Sequence, residues 1–467
     1  MTRAWGAAKA SGFRQPKPAS TSSTISSSRM PSSRRHCVPS TAGTEGWPKK
    51  RPSHPPGETG RLEGMQDQGH RSSSEFRPSR RHDLDRLRIL AFLLLAVTHT
   101  GNLFVSWGDW PIRSGYTSWG LERLLLFVSL WRLPLVFFVS GAGAAFSLRS
   151  RGPGGFTWER FRRLLPPLMG GVFLIAPLQV WMQARYAGLT GESFLEFLPR
   201  AWASGPSPQG FLGWQHLWFV GYLLVFCQLL AALHLLATRH PAWTRWAAGL
   251  MGWRGAFLLV GFVPGLLTAL LGPGHPRSYV LYDDWWNLTL SLGFFLMGYA
   301  IAGVPGGFDR LAALRGRALA LGLLSAGLLF TQDWLGIRTF IGWTPAWHFF
   351  TEGFAAFAWV TAIAGFAGAH LNRPASWLAQ ANEAVFPFFI WHLPVMWAVG
   401  ILLADVRLGF PAEFALAVVL TFAGTAAVVC WAVYPFDPMR ILFGLKPRDL
   451  APLPELGASG DAKAPTE

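Results

Sequence analysis

The sequence predicts an all-α integral membrane protein with about ten transmembrane helices, and three observations lead to that fold class. Hydrophobic residues occupy 51% of the 467 positions and charged residues only 14%, which is too apolar for an ordinary soluble protein. Apolar runs of about 18 to 24 residues, long enough to cross a hydrocarbon core of about 30 Å, alternate with short polar connections. The 24 Trp and 36 Phe residues recur along the chain and add to its apolar character.

The positive charge of the chain is concentrated before the first apolar run. The formal net charge is +16, and 15 Lys and Arg residues against 5 acidic ones precede His82. The remaining excess is small and lies at the ends of apolar runs, as the positive-inside rule requires. Membrane lipids are therefore expected partners, whereas nucleic acid is not.

Residues 1–79 are predicted to be a disordered basic tail. They are rich in Ser, Pro, Arg and Gly, so they cannot bury enough apolar surface to offset the entropy of ordering. A start at Met65 would still supply four arginines as anchors, so an over-extended reading frame is one interpretation of this tail. Residues 80–440 are predicted to form the membrane domain and residues 441–467 a second disordered tail.

The ten predicted spans also indicate an orientation. The connections after the second, fourth and sixth spans are basic, for example at Arg149, Arg239 and Arg310, and an even number of spans places both termini on one side. Both termini are therefore predicted to be cytoplasmic. The spans are predicted at 87–106, 124–146, 164–183, 213–237, 255–272, 285–303, 318–335, 347–370, 383–403 and 412–434.

The three cysteines do not indicate a cofactor site. Cys37 lies in the tail, and Cys227 and Cys430 lie inside apolar runs. They provide neither a disulfide framework nor a metal-ligand spacing. No metal ion or prosthetic group is expected.

The first apolar run carries Arg88 near its start and His99 deep inside. Eleven residues at about 100° each return to nearly the same azimuth, so both side chains lie on one helical face, about 16 Å apart along the axis. An ionisable group inside a bilayer is a functional candidate by default. His99 is interpreted as a general base that takes a proton from a hydroxyl, as a group that holds the thioester of an acyl carrier, or as a buried histidine bonded to a neighbouring helix.

Other ionisable residues inside or near the spans are weaker candidates. His392, in the ninth span, is most simply a hydrogen-bonding contact between helices. His216 marks the outer end of the fourth span, where amphipathic residues are common anchors. His348 and Glu352 lie four residues apart on one face of the eighth span. A carboxylate that orients an imidazole and a polar contact between helices explain this pair about equally well.

Two further features lie in the second and third spans. In FTWERFRRLLPPL, Arg160 and Arg163 fall on one helical face, and arginines bind phosphates through bidentate hydrogen bonds. This suits a phosphorylated cytosolic donor such as a coenzyme A thioester, although positive-inside anchoring explains the charges as well. In FFVSGAGAAFSL, small residues favour close helix packing.

Taken in order, these segments resemble the membrane acyltransferase-3 family. The stretch HDLDRLRILAFLLLAVTHTGN resembles the family's LDxLR-type start and its Arg, ten residues, then His. FVSGAGAAF, RFRRLLPPL, HLWFVGYLL and FPFFIWHLP follow in the family's order. The resemblance covers about residues 80 to 440, and the HLWF and WHLP elements are most similar to the glucan biosynthesis protein C branch, the periplasmic glucan succinyltransferases.

The resemblance implies transfer of an acyl group from cytosolic acyl-CoA across a bacterial inner membrane to a hydroxyl of a periplasmic glycan or another envelope acceptor. His99 would be the essential histidine and Arg88 its partner in the motif. Arg160 and Arg163 match the arginines that meet the donor. The resemblance adds no role for His216, His392, His348 or Glu352.

Two other classes of function remain open at the level of sequence. A transporter or flippase would also have many helices, histidines near the midplane and segments interrupted by Gly and Pro. Such a protein would more often carry several intramembrane carboxylates, of which Glu352 is the clearest here. A membrane scaffold or sensor without catalysis would leave the alignment of Arg88 with His99 unexplained.

Overall fold

The computed structural model describes residues 80–448 apart from 109, 208, 241, 243–248, 250–255, 276 and 335–344. Within these residues the regular structure is helical, and no strand is formed. The helices are α1 His82–Gly101, α2 Trp119–Gly170, α3 Ala176–Tyr186, α4 Phe194–Ala203, α5 Trp218–Arg239, α6 Ala256–Leu271, α7 Trp285–Gly303, α8 Gly307–Trp334, α9 Ala346–His370, α10 Leu378–Leu402, α11 Phe410–Val428 and α12 Asp437–Leu442.

The structure confirms an all-α polytopic membrane protein. Eight of the described helical elements are long and apolar enough to cross a membrane. One of them, Trp119–Tyr186, has 68 residues and contains both α2 and α3. A sixteen-residue apolar helix, Ala256–Leu271, is shorter than these eight. The number of about ten spans stays a prediction.

The long element accounts for one of the two helices by which the eight counted elements differ from the ten predicted spans, and the shorter helix Ala256–Leu271 lies at another predicted span. Gly152 has φ 68° and ψ 171°, which interrupts the helical backbone between the predicted spans 124–146 and 164–183. A positive φ favours glycine, and the following Pro153 cannot donate a backbone hydrogen bond. One apolar element therefore contains two of the predicted spans, separated by a local break.

Helix α1 begins five residues before the predicted span because its first turn is polar. Asp83 and Asp85 lie in that turn, where negative charge is favourable beside the unsatisfied N–H groups of a helix N-terminus. The guanidinium of Arg81 pairs with the carboxylate of Asp83 at 2.9 and 2.7 Å. Helix α1 packs against α2, α9, α10 and α11, so its side chains reach four neighbouring helices.

Helices α2 and α7 meet almost backbone to backbone. A Cβ atom on Gly141 would lie 1.8 Å from the carbonyl oxygen of Phe295, and one on Gly298 would lie 1.9 Å from that of Phe138. Neither position accepts a side chain without separating the two helices. The small residues of FVSGAGAAF therefore bring these helices together, as their composition predicts.

The C-terminal end of the described chain is folded beyond the predicted boundary at residue 440. Helix α12 spans Asp437–Leu442, and Phe443 and Leu445 after it are buried. Residue 440 therefore lies inside a helix, and the first residues of the predicted tail 441–467 are packed. The rest of that tail, 449–467, and the predicted tail 1–79 lie outside the described residues.

Candidate active site

His99 and His392 form the centre of the candidate site. Nδ1 of His99 on α1 lies 2.8 Å from Nε2 of His392 on α10. The two rings are nearly parallel, with centroids 5.1 Å apart and an interplanar angle of 10°. His392 is buried, whereas His99 is partly exposed. The structure therefore joins the strongest sequence candidate to one that the sequence favours as a simple helix contact.

The other ring nitrogen of His392 fixes the direction of this hydrogen bond. Nδ1 of His392 lies 2.5 Å from the carbonyl oxygen of Phe389, and a carbonyl oxygen only accepts. Nδ1 of His392 therefore carries a proton, and Nε2 of a neutral His392 is an acceptor for Nδ1–H of His99. That leaves Nε2 of His99 with its lone pair, and this atom makes no hydrogen bond within the described part of the chain.

His216 completes a group of three imidazoles. It lies in the turn Gln215–Leu217 before α5, and its ring meets that of His392 edge to face with centroids 5.4 Å apart. Nε2 of His216 lies 3.2 Å and 3.1 Å from the carbonyl oxygens of Phe389 and Ile390. His216 is only 4% exposed. The turn directs the ring into the protein and against α10, and the interpretation of His216 as an anchor at the membrane interface stays a prediction.

A proline explains why a carbonyl of α10 is available to His216. Pro394 has no N–H, so the carbonyl of Ile390, four residues earlier, lacks its usual helical donor. Nε2–H of His216 takes that place, and Nδ1 of His216 is then the acceptor for the side-chain amide of Gln179, 3.3 Å away. Gln215 has a φ of 46°, which is unusual for a residue other than glycine. Such backbone strain is commonly found at functional sites.

Arg132 is a further charged residue of this region, and it is absent from the sequence candidates. It lies in the predicted second span, in SLWRLPL, and its Nη1 donates to the hydroxyl oxygen of Thr98, next to His99. Both His99 and His392 are within its electrostatic range. The sequence could have identified Arg132, because an arginine inside an apolar run is a functional candidate by the same rule that identifies His99.

Arg88 lies near the N-terminal end of α1, far from the histidines and close to the other two predicted arginines. Nη1 of Arg88 contacts the side-chain oxygen of Asn382 at 3.4 Å, and Nδ2 of Asn382 donates to Asp85 at 2.6 Å. The guanidinium groups of Arg160 and Arg163 are close enough to that of Arg88 to repel it electrostatically. The structure therefore brings the three predicted arginines to one place, the arginine cluster.

The arginine cluster has limited internal neutralisation. Nε of Arg160 lies 3.2 Å from Glu159, and Nη1 of Arg163 lies 3.9 Å from the same carboxylate. The side chain of Arg163 is 52% exposed, and that of Arg160 is 18% exposed. Gly143 leaves room for the Arg88 guanidinium, because a Cβ atom there would lie 3.1 Å from its Nη2. Three cations share few acids here, and one of them faces outward.

His348 and Glu352 have separate partners away from the three imidazoles. Nδ1 of His348 lies 2.7 Å from the side-chain oxygen of Gln332 on α8. Glu352 pairs with Arg277 at 2.9 Å. Each contact joins α9 to another part of the chain, and the carboxylate does not bond the imidazole. The structure therefore favours polar packing contacts over a carboxylate that orients an imidazole.

The apolar helices enclose hydrogen-bonded imidazoles and carry arginines at one end of the bundle. These features are those of a membrane-embedded protein with a polar site inside. The family model for the acyltransferase domain of the acyltransferase-3 family matches residues 81–431. The chain therefore belongs to the acyltransferase-3 family, and its membrane domain is an acyltransferase domain. No curated protein and no solved structure matches the chain.

Proposed function

We propose that this protein is a membrane O-acyltransferase that moves an acyl group of the acetyl or succinyl class from cytosolic acyl-CoA to a hydroxyl of a periplasmic glycan or another envelope acceptor. Membership of the family supports acyl transfer in general. The observation that carries the proposal further is the chain from His99 through His392 to the carbonyl of Phe389. That chain orients His99 with a free basic nitrogen, which acyl transfer to a hydroxyl needs.

In the proposed reaction, Nε2 of His99 takes the proton of the acceptor hydroxyl. The hydroxyl oxygen forms a bond to the thioester carbonyl carbon, and the carbonyl electrons move onto oxygen to give a tetrahedral oxyanion. When the carbonyl re-forms, the bond from carbon to sulfur breaks, and the thiolate takes the proton from His99. The products are an ester and free coenzyme A, and the protein is regenerated.

The arginine cluster is the observation that supports a phosphorylated donor. Arg88, Arg160 and Arg163 converge, and guanidinium groups bind phosphate through charge-assisted hydrogen bonds. Arg88 and His99 lie eleven residues apart on one face of α1, which corresponds to about 16 Å along the axis. Coenzyme A carries its phosphates and its thioester at opposite ends of an extended arm, and this arrangement fits the separation between the cluster and His99.

The proposed orientation places the arginine cluster and both termini on the cytoplasmic side of a bacterial inner membrane. The basic connections between the predicted spans support that orientation. The HLWF and WHLP elements support an acceptor of the periplasmic glucan type, and their histidines, His216 and His392, contact each other through the edge of one ring. Acceptor hydroxyls would then reach His99 from the opposite side of the membrane to the donor.

Membranes from cells that express the full chain provide the test. We would incubate them with acetyl-CoA or succinyl-CoA labelled in the acyl group and measure label that becomes alkali-labile on envelope glycans. The chain with His99→Ala, extracted in equal amount, is the comparison. Label on glycans that depends on His99 is the expected result, and equal labelling by both chains would remove His99 from the mechanism.

The same experiment separates an enzyme from a transporter. Sealed inverted vesicles that accumulate labelled acyl compound without ester formation would indicate transport and would contradict the proposal. Ester formation by purified protein in lipid, with acyl-CoA and isolated envelope glycan as the added substrates, would support the enzyme, because no gradient is present.

A further inference from the structure

Arg132 places a positive charge beside the histidines. The proposed proton transfer does not use this charge. Its Nη1 donates to the hydroxyl oxygen of Thr98, and the Thr98 hydroxyl in turn donates to the carbonyl of Leu95 at 2.9 Å. The Thr98 hydroxyl therefore accepts one hydrogen bond and donates one. Because Thr98 directly precedes His99 on α1, the bond holds the guanidinium in the region of the candidate base.

Among the described residues, the bond to Thr98 is the hydrogen bond that Arg132 makes. Nε of Arg132 is buried and makes no hydrogen bond within the described residues. No ion pair joins Arg132 to a carboxylate in that part of the chain either, whereas Arg277 nearby is paired with Glu352 at 2.9 Å. A buried donor that is left unsatisfied is destabilising, and more so when it is charged. An anion that completes the site would remove this cost.

The geometry of the guanidinium indicates the shape of that anion. Nη1, which bonds Thr98, lies on the side of Cδ, so the opposite edge carries Nε–H and one N–H of Nη2. This edge is the one that pairs with two oxygens of a carboxylate or with a single charged oxygen. The neighbouring ionisable groups are His99, His392, Arg277 and Tyr279, and none of them supplies a negative charge.

We propose that Arg132 binds a negatively charged oxygen of the acyl group that reacts at His99. The inference rests on the proposed function and names a second residue of the same site. Two sources share this chemistry. One is the oxyanion that forms at the thioester carbonyl, and the other is the carboxylate at the far end of a dicarboxylic acyl group. The first would serve every donor, and the second would select succinyl over acetyl donors.

The test uses the full chain in membranes with Arg132→Gln and with Arg132→Lys, assayed with acetyl-CoA and with succinyl-CoA. If Arg132 stabilises the oxyanion, Arg132→Gln lowers kcat about 100-fold with each donor that the wild type uses. If it binds a carboxylate, the variant loses transfer from succinyl-CoA and keeps transfer from acetyl-CoA. Arg132→Lys keeps the charge without the forked edge, so its loss is smaller, and it serves as the second variant if Arg132→Gln does not fold.

Thr98→Val is the matched control, because it removes the hydrogen bond to Arg132 but leaves the Nε and Nη2 edge. We expect a loss of less than tenfold. A Thr98→Val chain as impaired as Arg132→Gln both in kcat and in thermal unfolding would show that Arg132 only joins α2 to α1, and the inference would fail. Unchanged kcat and KM for both Arg132 variants with both donors would also overturn it. A wild-type chain that transfers no label would refute the proposed function itself, and this inference with it.

Discussion

The two ends of the polar face of α1 differ in almost every physical respect. At one end, His99 bonds His392, the ring of His216 meets that of His392 edge to face, and both His392 and His216 bond backbone carbonyls of α10; His392 is only 1% exposed. At the other end, the arginine cluster lies among carboxylates such as Asp85 and Glu159, and the side chain of Arg163 is 52% exposed. No carboxylate bonds the three imidazoles within the described residues.

This difference indicates two separate tasks on one helix. Charges near water bind a charged ligand at modest cost, because solvent screens them. A buried site without carboxylates keeps imidazoles neutral and orients them through carbonyl groups, which suits a proton transfer that must be reversed later in the same reaction. Recognition and chemistry are therefore expected to respond to different mutations.

The largest expected effect is at His99. We expect His99→Ala to lower acyl transfer by about 10²–10⁴-fold, because it removes the proposed base. Initial rates of label transfer at saturating acyl-CoA would measure it. His370→Ala, at an exposed position at the end of α9, is the control for substitution of a histidine and should leave the rate unchanged.

A smaller loss is expected at His392, where the hydrogen-bonding pattern can be partly rebuilt. Glutamine can donate to the carbonyl of Phe389 and accept from His99, whereas leucine can do neither. We expect His392→Leu to lower kcat about 100-fold and His392→Gln only about tenfold. Comparison of kcat for the two variants would check this order. Equal losses would mean that His392 contributes volume and not orientation.

The arginine cluster should affect donor binding more than chemistry. We expect Arg160→Gln combined with Arg163→Gln to raise KM for acyl-CoA about tenfold or more, which corresponds to about 1.4 kcal/mol, with little change in kcat. The matched control is Arg162→Gln, since Arg162 is exposed and its guanidinium lies 5.9 Å from the Trp158 ring centroid. A fall in kcat at unchanged KM would contradict the assignment of this end to binding.

The smallest effect on activity is expected at Gly143, which borders the arginine cluster. A Cβ atom there would lie 3.1 Å from the end of the flexible Arg88 side chain, so Gly143→Ala should raise KM only a few-fold. Gly141→Ala provides the contrast, because its Cβ atom would lie 1.8 Å from the backbone oxygen of Phe295. We expect Gly141→Ala to cost about 1–3 kcal/mol of stability. Thermal unfolding in detergent would separate the two variants.

Much of the fold follows from apolar periodicity and small residues. Continuous apolar runs predict the long helices, and FVSGAGAAF predicts the close contact of α2 with α7 because only small residues allow backbones to touch. The sequence did not predict that two spans would belong to one 68-residue helical element with a break at Gly152. The reason is that hydropathy reports where a chain becomes polar and not whether its helical hydrogen bonds continue.

The site was predictable only where its residues share one helix. The spacing of Arg88 and His99 places them on one face of α1, and the helical spacing of Arg160 and Arg163 does the same in α2. His392 lies 293 positions from His99, and no local pattern reports which rings meet across such a distance. The contact of His216 with His392 and that of Arg132 with Thr98 arise only when α5, α10 and α2 are packed around α1.

The missing N–H of Pro394 has a consequence for how the protein assembles. In lipid, the carbonyl of Ile390 has no water to accept from, so α10 on its own carries an unsatisfied polar group. The ring of His216 supplies the donor only after the turn before α5 has docked. Docking of that turn therefore satisfies the backbone and completes the imidazole group at once, and a bundle in which the turn has not docked would lack both.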